Sequence, residues 1–420
     1  MTVALSPDLV AEADSFLTDY ETRSVPWDFF RRLRETAPLL RTTSGTWLVA
    51  RYADCQSVLK DDRFSRREAA VRTSALPEGD TADQYTTRLV CLDGDSHRRL
   101  RRIVNGPFLP RRVAKWAPRI DSVGRDVLAQ RAAPRAMDFL AEFAYPLPIR
   151  VLCELLGVPH QDHERMGEWM SVLLEHINEA ASESFTQQKT AAMVGLGEYL
   201  RDLVARRRTE APRDDLLSAM LAAEAEGDRL SERELIGILA ELLHAGFEST
   251  ANMMADGLHC LLEHPGQQRL LAQDPGLAAQ AVDEMLRFAS PVLHSLPRVA
   301  LEDVTLPSGT IPRGDLVLAL IASAARDPEF VERPDEFDIT RADNPHMAFG
   351  VGEHYCLGAN LAWAEAESTF ALLAQEMLAT MWCSFHRTGP SMRIVASICS
   401  CASSVKVLSA SAQARLAPRP

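Results

Sequence analysis

The residues with the clearest capacity for chemistry lie in one short stretch, Phe349 to Gly358, with the sequence FGVGEHYCLG. Its one cysteine, Cys356, lies among three glycines, and an apolar, helix-forming run follows at once. Glycine allows positive φ and lets the backbone approach a ligand closely. A helix that begins just after the sulfur directs its N–H groups and positive dipole end towards it, which favours the thiolate over the thiol. The stretch therefore predicts a thiolate that faces a large, flat ligand.

This stretch resembles the haem-binding signature of the cytochrome P-450 family, Phe-Gly-x-Gly-x-His-x-Cys-x-Gly in bacterial members, and meets each fixed position. A cysteine thiolate is a suitable axial ligand for haem iron and pushes electron density towards O–O cleavage. A buried structural cysteine would explain a lone Cys between glycines, but it does not explain the complete match. The resemblance implies haem b (iron protoporphyrin IX) with Cys356 as the metal ligand. The surrounding cofactor-binding residues would be Phe349, Gly350, His354 and Gly358.

A second motif lies inside a long predicted helix. Ser231 and Glu234 have the spacing of a capping box, and Pro265 ends the helix after His264. Within it the segment from Ala245 to Thr250, AGFEST, combines a glycine, an acid and two hydroxyls, which are poor helix formers. Ser and Thr can bond to carbonyls of the preceding turn and open the helical ladder locally. On its own the segment is equally well explained as a tolerated weak point.

The same segment resembles the family's oxygen-activation motif, Ala/Gly-Gly-x-Asp/Glu-Thr-Thr/Ser. The resemblance implies that Ala245 and Gly246 border the haem. It also implies that Glu248, Ser249 and Thr250 are the catalytic residues that relay protons to bound dioxygen. Ser249 replaces the usual threonine and lacks the methyl group that restricts the rotamer, so we expect activity with extra leakage of peroxide. Thr250 could not simply substitute, because adjacent helical positions do not face the same way.

An acid–base pair supplies the third motif. Glu284 and Arg287 are spaced i,i+3 on a helix predicted from about residue 276 to residue 288. A surface ion pair of this kind contributes little to stability. The pair matches the family's Glu-x-x-Arg motif, which implies structural support beneath the cysteine loop. The motifs also occur in the family's order along the chain.

Four side chains match positions that bind the haem propionates in related sequences. His97 and Arg101 have the His-x-x-x-Arg spacing, Arg298 follows Glu-x-x-Arg, and His354 precedes the cysteine. Carboxylates that enter a protein interior need charged or hydrogen-bonding partners. Each residue alone could be a surface charge, but together they fit one cofactor.

Composition limits the class of protein. The chain has 420 residues, of which 46% are hydrophobic and 25% charged, and its net charge of −13 argues against general nucleic-acid binding. It shows no signal peptide and no apolar run long enough to span a membrane. Its eight cysteines include no Cys-x-x-Cys pair. We expect a cytoplasmic monomer that forms one domain over residues 1–420, without a membrane or nucleic-acid partner.

The resemblance covers about residues 25–377 and implies the cytochrome P-450 fold. That fold is mainly α with a small β-rich lobe, triangular in outline, with haem between the long central helix and the helix after the cysteine loop. Periodicity agrees, and it predicts short strands at residues 46–50 and within 303–318, with the last helix over about residues 357–378. The segment 378–420 is atypical, since no Asp or Glu follows Glu376. It is explained equally well by a reading-frame change or by ordinary divergence.

Substrate contacts are expected by analogy on the distal side of the haem, under a loop from about Glu68 to Cys91. The candidates are Glu241, His244, Leu293, His294 and Leu296. The two histidines are unusual there. Either they turn away, or the substrate carries polar groups, as a polyketide, macrolide or peptide-derived secondary metabolite would.

The activity implied is that of a monooxygenase, which inserts one atom of dioxygen by hydroxylation or epoxidation. Electrons would come from NAD(P)H through a ferredoxin reductase and a ferredoxin. An arginine cluster is either a solvated helix face or a docking patch for that acidic partner. Its members are Arg98, Arg99, Arg102, Arg111 and Arg112. The alternatives are a peroxide-using or coupling enzyme on the same haem, and a non-catalytic relative that binds or recruits.

Overall fold

The computed structural model describes residues 7–19, 26–73, 88–130, 138–174, 183–225 and 230–375. These residues form fifteen α-helices and seven short strands. The helices are Pro7–Thr18 (α1), Trp27–Thr36 (α2), Tyr52–Lys60 (α3), Arg66–Thr73 (α4), Gly94–Asn105 (α5), Pro110–Ala129 (α6), Pro146–Leu155 (α7), His163–Leu174 (α8), Glu183–Arg207 (α9), Leu216–Ala225 (α10), Glu232–Glu263 (α11), Pro265–Gln273 (α12), Ala278–Phe288 (α13), Ile321–Ala324 (α14) and Ala359–Leu373 (α15). The strands are Leu39–Arg41 (β1), Trp47–Val49 (β2), Phe64–Ser65 (β3), Arg298–Ala300 (β4), Val304–Leu306 (β5), Gly309–Ile311 (β6) and Leu316–Ala319 (β7).

The long helix α11 begins and ends where the sequence predicts. The Ser231 Oγ accepts the Glu234 N–H at 3.2 Å, and the Glu234 carboxylate accepts the Ser231 N–H at 2.8 Å, which completes the capping box. Its first half buries one stripe of residues, whereas nearly every residue from Thr250 to Leu258 is buried. With 32 residues at about 1.5 Å each, α11 extends roughly 48 Å and can contact most of the molecule.

The β structure is small and has two parts. Five strands pair in the order β1-β2-β7-β4-β3, with β2 and β7 parallel and the other pairs antiparallel. Strands β5 and β6 form a separate hairpin. The predicted strands β2, β5, β6 and β7 are confirmed. The sequence did not predict β1, β3 and β4, because two- and three-residue strands show no periodicity.

Helices α13 and α15 confirm that helices form in these two predicted segments, although their first turns differ. Helix α15 ends at Leu373, and the last three residues of its predicted range, 376–378, lie outside the described residues. A 3₁₀ turn at Pro275–Leu277 precedes α13, and α15 begins at Ala359, directly after the cysteine loop. Helix α15 packs against α6, α11 and α13. These contacts hold the start of α15, and therefore the cysteine loop, beside the central helix.

The predicted loop from Glu68 to Cys91 is wrong at both ends. Helix α4 extends to Thr73, and a 3₁₀ turn covers Leu89–Cys91. The Asp93 carboxylate accepts the Arg66 and Arg67 N–H groups, which caps α4 from a distant part of the chain. Residues 74–87 of this predicted loop, and the atypical segment 378–420, lie outside the described residues. Within the described ranges, no helix is both long and apolar enough to cross a membrane.

Asp256 gives α11 a pH-dependent stability. Burial raises the pKa of its carboxyl from 3.8 to about 7. Between these values the native state keeps a proton that the unfolded chain has released, so the free energy of unfolding falls as pH rises. Asp256→Asn should remove this dependence and raise the unfolding free energy at pH 8 by a few kcal/mol, at about 1.4 kcal/mol per pKa unit. Denaturant titrations at several pH values measure this effect. The exposed control Asp8→Asn should give a plot of unfolding free energy against pH that is parallel to that of the wild type. A parallel plot for Asp256→Asn would contradict the prediction.

Candidate active site

The cysteine loop is a closed turn that requires glycine at two positions. The Cys356 N–H donates to the Phe349 carbonyl at 2.8 Å across the turn. Gly350 and Gly352 have φ of +70° and +82°, which side-chain-bearing residues rarely adopt. A Cβ on Gly352 would also lie 2.7 Å from the Leu59 carbonyl oxygen. Gly352 therefore allows the loop to pack closely against the end of α3.

The Cys356 thiol faces a cavity, so it is accessible although protein atoms surround it on its other sides. Burial raises the pKa of the thiol, while the N–H groups of Gly358 and Ala359 and the Arg101 guanidinium lower it. The helix start thus directs N–H groups at the sulfur, as the sequence predicted, but burial outweighs their effect. A coordinated metal ion would remove the thiol proton.

This cavity has a volume of about 410 Å³ and brings most of the predicted cofactor and catalytic residues together. The residues predicted at the cofactor that line it are His97, Arg101, Ala245, Gly246, Arg298, Phe349, Gly350, His354, Cys356 and Gly358. Ser249 and Thr250 line the same cavity. The cavity wall therefore combines residues of α5, α11, β4 and the cysteine loop, which lie far apart in the chain.

Buried cationic and imidazole groups line one part of the cavity without a full set of partners. His97 is 2% exposed, its ring lies 4.3 Å from that of His354, and neither ring nitrogen has a hydrogen-bond partner among the described residues. Burial and the neighbouring His354 lower the pKa of His97 to about 4. Arg298 donates through Nη1 to the Phe64 carbonyl at 3.1 Å, but Nε has no partner in the described chain. Burial, with the nearby Arg66, lowers the pKa of Arg298 to about 10.

Buried donors of this kind are stabilised by an anion. Arg101 donates to the Tyr355 carbonyl at 2.6 Å, so it lies between the cysteine loop and the same cavity. A thiol at one position and several cationic groups at another fit the iron and the two propionates of haem. The residues present therefore fit the cofactor that the sequence motifs imply.

Asp93 and Arg66 belong to this site but were missed by sequence reasoning. Asp93 accepts hydrogen bonds from Ser65 Oγ at 2.5 Å and from the Arg66 N–H at 3.1 Å, and it lies 3.6 Å from His354 Nε2. Burial tends to raise the pKa of Asp93, but hydrogen bonds from His354, Ser65 and the backbone outweigh it and lower the pKa well below its usual range. Asp93 thus joins α4, α5 and the cysteine loop. No local pattern indicates these contacts, because the partners of Asp93 come from two segments that are distant in sequence, residues 65–67 and the cysteine loop.

The hydroxyl residues of α11 both reach the cavity. Ser249 donates from Oγ to the Ala245 carbonyl at 2.7 Å, the back-bond that the sequence suggested. Thr250 also lines the cavity, although it is offset by about 100° around the helix, so the cavity covers more than one helical stripe. Glu248 is half-buried and, within the described part of the chain, does not belong to the cavity wall.

The substrate-pocket predictions divide into two groups. Glu241, His294 and Leu296 line the cavity. Among the described residues, His244 and Leu293 are not part of this cavity wall, so for His244 the structure favours the alternative in which the side chain turns away. His244 shares the adjacent stripe of α11 with Glu248, because Glu241, Ala245 and Ser249 form the i,i+4 stripe that faces inward. Leu293 packs instead with Phe16 and other apolar residues near the N-terminus.

Glu284 and Arg287 form a wholly buried network rather than a surface pair. Both are 0% exposed, and Arg287 binds the two carboxylate oxygens at 2.7 and 2.8 Å. Glu284 also accepts from Arg341 Nε at 3.1 Å and from Asn344 Nδ2 at 3.2 Å. Arg287 donates further to the carbonyls of Ala325, Pro334 and Glu336. The network joins α13 to the segment that leads into the cysteine loop.

Glu365 is another residue that sequence reasoning missed. It lies on α15, lines the cavity at 2% exposure, and its Oε2 has no hydrogen-bond partner among the described residues. Burial raises the pKa of this carboxyl well above its usual value. Spacing along α15 could have indicated an inward-facing acid, but not its burial.

The arginine cluster lies next to the cysteine loop. Arg98 binds Glu353 of the loop at 2.8 Å, and Arg99 pairs with Glu234. Arg101 turns inward, as described above. The remaining members, Arg102, Arg111 and Arg112, are exposed.

Comparisons with known proteins agree with this geometry, and the chain belongs to the cytochrome P-450 family. The family model described as Cytochrome P-450 matches residues 17–275 and 276–378. The chain is 41% identical to the vitamin D(3) 25-hydroxylase of Pseudonocardia autotrophica, over 76% of this chain and 77% of that protein. It is 37% identical to the mycinamicin IV hydroxylase/epoxidase of Micromonospora griseorubida, over 83% and 87% of the two chains.

A solved structure supports the same assignment. The crystal structure of CalO2 matches with a TM-score of 0.80 at 34% identity, covering 85% of this chain and 90% of that one. The chain is therefore a cytochrome P-450 monooxygenase with the mainly-α fold of that family. Family membership implies haem, dioxygen and electrons from redox partners.

Proposed function

We propose that haem b would be held in the cavity with Cys356 as the residue that binds its iron, and that the enzyme hydroxylates or epoxidises a secondary metabolite. The observation that carries the proposal is the shared cavity, in which one thiol, two hydroxyls and a cluster of cationic groups meet. When bound, haem supplies the activation of dioxygen and the transfer of one oxygen atom. His97, Arg101, Arg298 and His354 bind the propionates, while Glu284 and Arg287 support the loop.

Ser249 holds a proton at the cavity surface. Its hydroxyl lines the cavity and is oriented by the bond to the Ala245 carbonyl, so rotation about χ1 can redirect the proton. Glu248, the preceding residue, is half-buried on the adjacent stripe of α11 and supplies protons from the solvent side. Thr250 adds a second hydroxyl on the cavity wall.

Ser249→Ala should uncouple the enzyme, because it removes the proton donor without changing the cavity's apolar walls. We expect product formation to fall about 100-fold, at the lower end of the usual contribution of general acid catalysis, while hydrogen peroxide release rises. Ser249→Thr is the matched control, since its β-branch restricts the hydroxyl rotamer, and it should release less peroxide than the wild type. Product and peroxide measured per reduced nicotinamide consumed give both quantities. Equal coupling in all three proteins would contradict the proposed role.

The cavity favours a mainly apolar substrate with a few polar groups. Leu89, Val90, Leu242 and Val292 contribute apolar wall, and Glu241 and His294 contribute polar atoms. His294 is partly engaged, because its Nδ1 lies 2.8 Å from the Ser295 carbonyl. Several relatives act in macrolide and polyketide biosynthesis, which supports a substrate of that class.

We also propose that a ferredoxin, reduced by NAD(P)H through its reductase, docks at the arginine cluster. Arg102, Arg111 and Arg112 are exposed, and Arg98 is tied directly to the cysteine loop. An acidic partner at this face would be attracted electrostatically and would lie near the thiol ligand.

A reconstituted assay tests the function. Purified protein, ferredoxin, its reductase and NADPH are incubated with isotopically labelled dioxygen and a panel of macrolactones, after candidates have been selected by spin-state shift. Incorporation of one labelled oxygen atom, at a rate that falls as salt screens the docking face, is the expected result. Turnover supported by peroxide alone would favour a peroxide-using enzyme instead, and coupling products without label would favour a coupling enzyme on the same haem.

A further inference from the structure

A charged side chain from α11 reaches across to the 3₁₀ turn Leu89–Cys91. One Glu241 carboxylate oxygen accepts the Leu89 N–H at 2.8 Å, and the other accepts the Val90 N–H at 2.9 Å. The first N–H groups of a helical turn have no partner within that turn. Glu241 therefore satisfies two donors that would otherwise need water or another acceptor.

The same turn is held from its other side. Arg66, at the start of α4, donates from Nε to the Val90 carbonyl at 3.2 Å. Val90 is thus fixed at both polar groups of its backbone, the N–H by an acid on α11 and the C=O by a base on α4. Hydrogen bonds to ionised groups are stronger than those between neutral groups. This double attachment ties one section of wall to the central helix.

All the residues in this arrangement face the cavity. Glu241, Arg66, Leu89 and Val90 belong to its wall. Burial raises the pKa of Glu241 and outweighs the groups that lower it. These groups are the Val90 N–H, Arg88, the Leu89 N–H and Arg66. A buried carboxylate with two N–H bonds is costly to move, because its release would leave both donors unpaired.

We propose that Glu241 is a positioning residue that latches the Leu89–Val90 wall to α11 and thereby selects ligands by size. The inference rests on the proposed function, because the selected ligands are those that enter the haem cavity. The affinity of small ligands, which need only the space near Cys356, does not depend on the latch. Larger ligands, which pack against Leu89 and Val90, bind well only when that wall is held in place.

The test uses the haem-loaded protein and two azole probes that bind haem iron, imidazole and 4-phenylimidazole. Glu241→Gln keeps the shape of the side chain but places an amide donor against one of the two N–H groups. Amide hydrogen exchange over residues 88–91 should be about tenfold faster, the equivalent of losing one net hydrogen bond. The Kd of 4-phenylimidazole should rise about tenfold, while that of imidazole stays within about twofold.

Two further variants make the result decisive. Glu232→Gln carries the same change on the exposed first turn of α11 and should alter neither quantity. Glu241→Asp keeps the charge but shortens the side chain, so its exchange and azole selectivity should lie between those of the wild type and those expected for Glu241→Gln. It replaces Glu241→Gln as the test variant if that protein does not fold. Unchanged exchange at residues 88–91, or faster exchange with unchanged azole selectivity, would overturn the proposal.

Failure of the latch is distinguishable from failure of the proposed function. A wild-type protein without the red-shifted Soret band of a thiolate–haem–carbon monoxide complex would remove the proposed function. A normal band in the wild type and in Glu241→Gln, together with unaltered exchange and azole affinities, would overturn the latch alone.

Discussion

Replacing Cys356 by serine should abolish the red-shifted Soret band of the reduced protein with carbon monoxide. The thiolate supplies the electron density on which the shift and oxygen activation both depend. Monooxygenase turnover should fall at least about a thousandfold, which corresponds to about 4 kcal/mol of lost transition-state stabilisation. Difference spectra and product analysis measure the two effects independently.

Cys55→Ser is the matched control. Cys55 is buried, and its thiol donates to the Val49 carbonyl at 3.1 Å, a bond that a serine hydroxyl can keep. We expect its spectrum and turnover to remain those of the wild type. A thiolate band that survives in Cys356→Ser would show that another cysteine binds the iron.

Arg287→Ala should be among the most destabilising single changes in the chain. It removes the side chain that binds both carboxylate oxygens of Glu284, a residue at 0% exposure, and it removes donors from three backbone carbonyls. Breaking a buried pair by removal of one partner costs about 3–5 kcal/mol. We expect a corresponding fall in the free energy of unfolding and poor incorporation of haem, because the segment before the cysteine loop loses its attachment to α13.

The control is Arg333→Ala, which removes an exposed ion pair with Glu336 at 2.8 Å. Exposed pairs contribute at most about 1 kcal/mol, so its denaturation curve should nearly coincide with that of the wild type. The double variant Glu284→Gln/Arg287→Met should recover part of the loss, because neither member of the pair is left as an unpaired buried charge. Arg341 loses the Glu284 carboxylate but keeps its bonds to the carbonyls of Glu332, Arg333 and Glu336. Equal destabilisation by Arg287→Ala and Arg333→Ala would contradict the structural role.

The sequence predicted features that depend on neighbouring residues. The capping box at Ser231, the proline stop at Pro265 and the strands around Gly309 follow from short patterns, and the structure confirms them. The same holds for the cysteine loop, since the positive φ of Gly350 and the helix after Gly358 depend on adjacent residues. Family motifs then connected these local patterns to haem chemistry.

Pocket residues show what local sequence patterns cannot decide. His244 and Leu293 were expected on the cavity wall, but His244 lies on the adjacent stripe of α11 and Leu293 packs near the N-terminus. A rotation of about 100° per residue decides which helical positions face a cavity, and only the packing of α11 sets that rotation. Glu241 was named correctly as a lining residue, but its bonds to residues 89 and 90 could not be foreseen.

By itself, then, the sequence determined the conformation of the cysteine loop and the length of the central helix, because these depend on residue type and short spacing. The resemblance of its motifs to those of a known family indicated the class of enzyme. The tertiary structure alone decided which charges became buried and what they bind. Asp93 meets His354, Arg66 holds Val90, and Arg341 joins Glu284 across many intervening residues. The physical reason is that desolvation and hydrogen-bond geometry depend on the whole packed chain, whereas helix caps, turns and motifs depend on its neighbours in sequence.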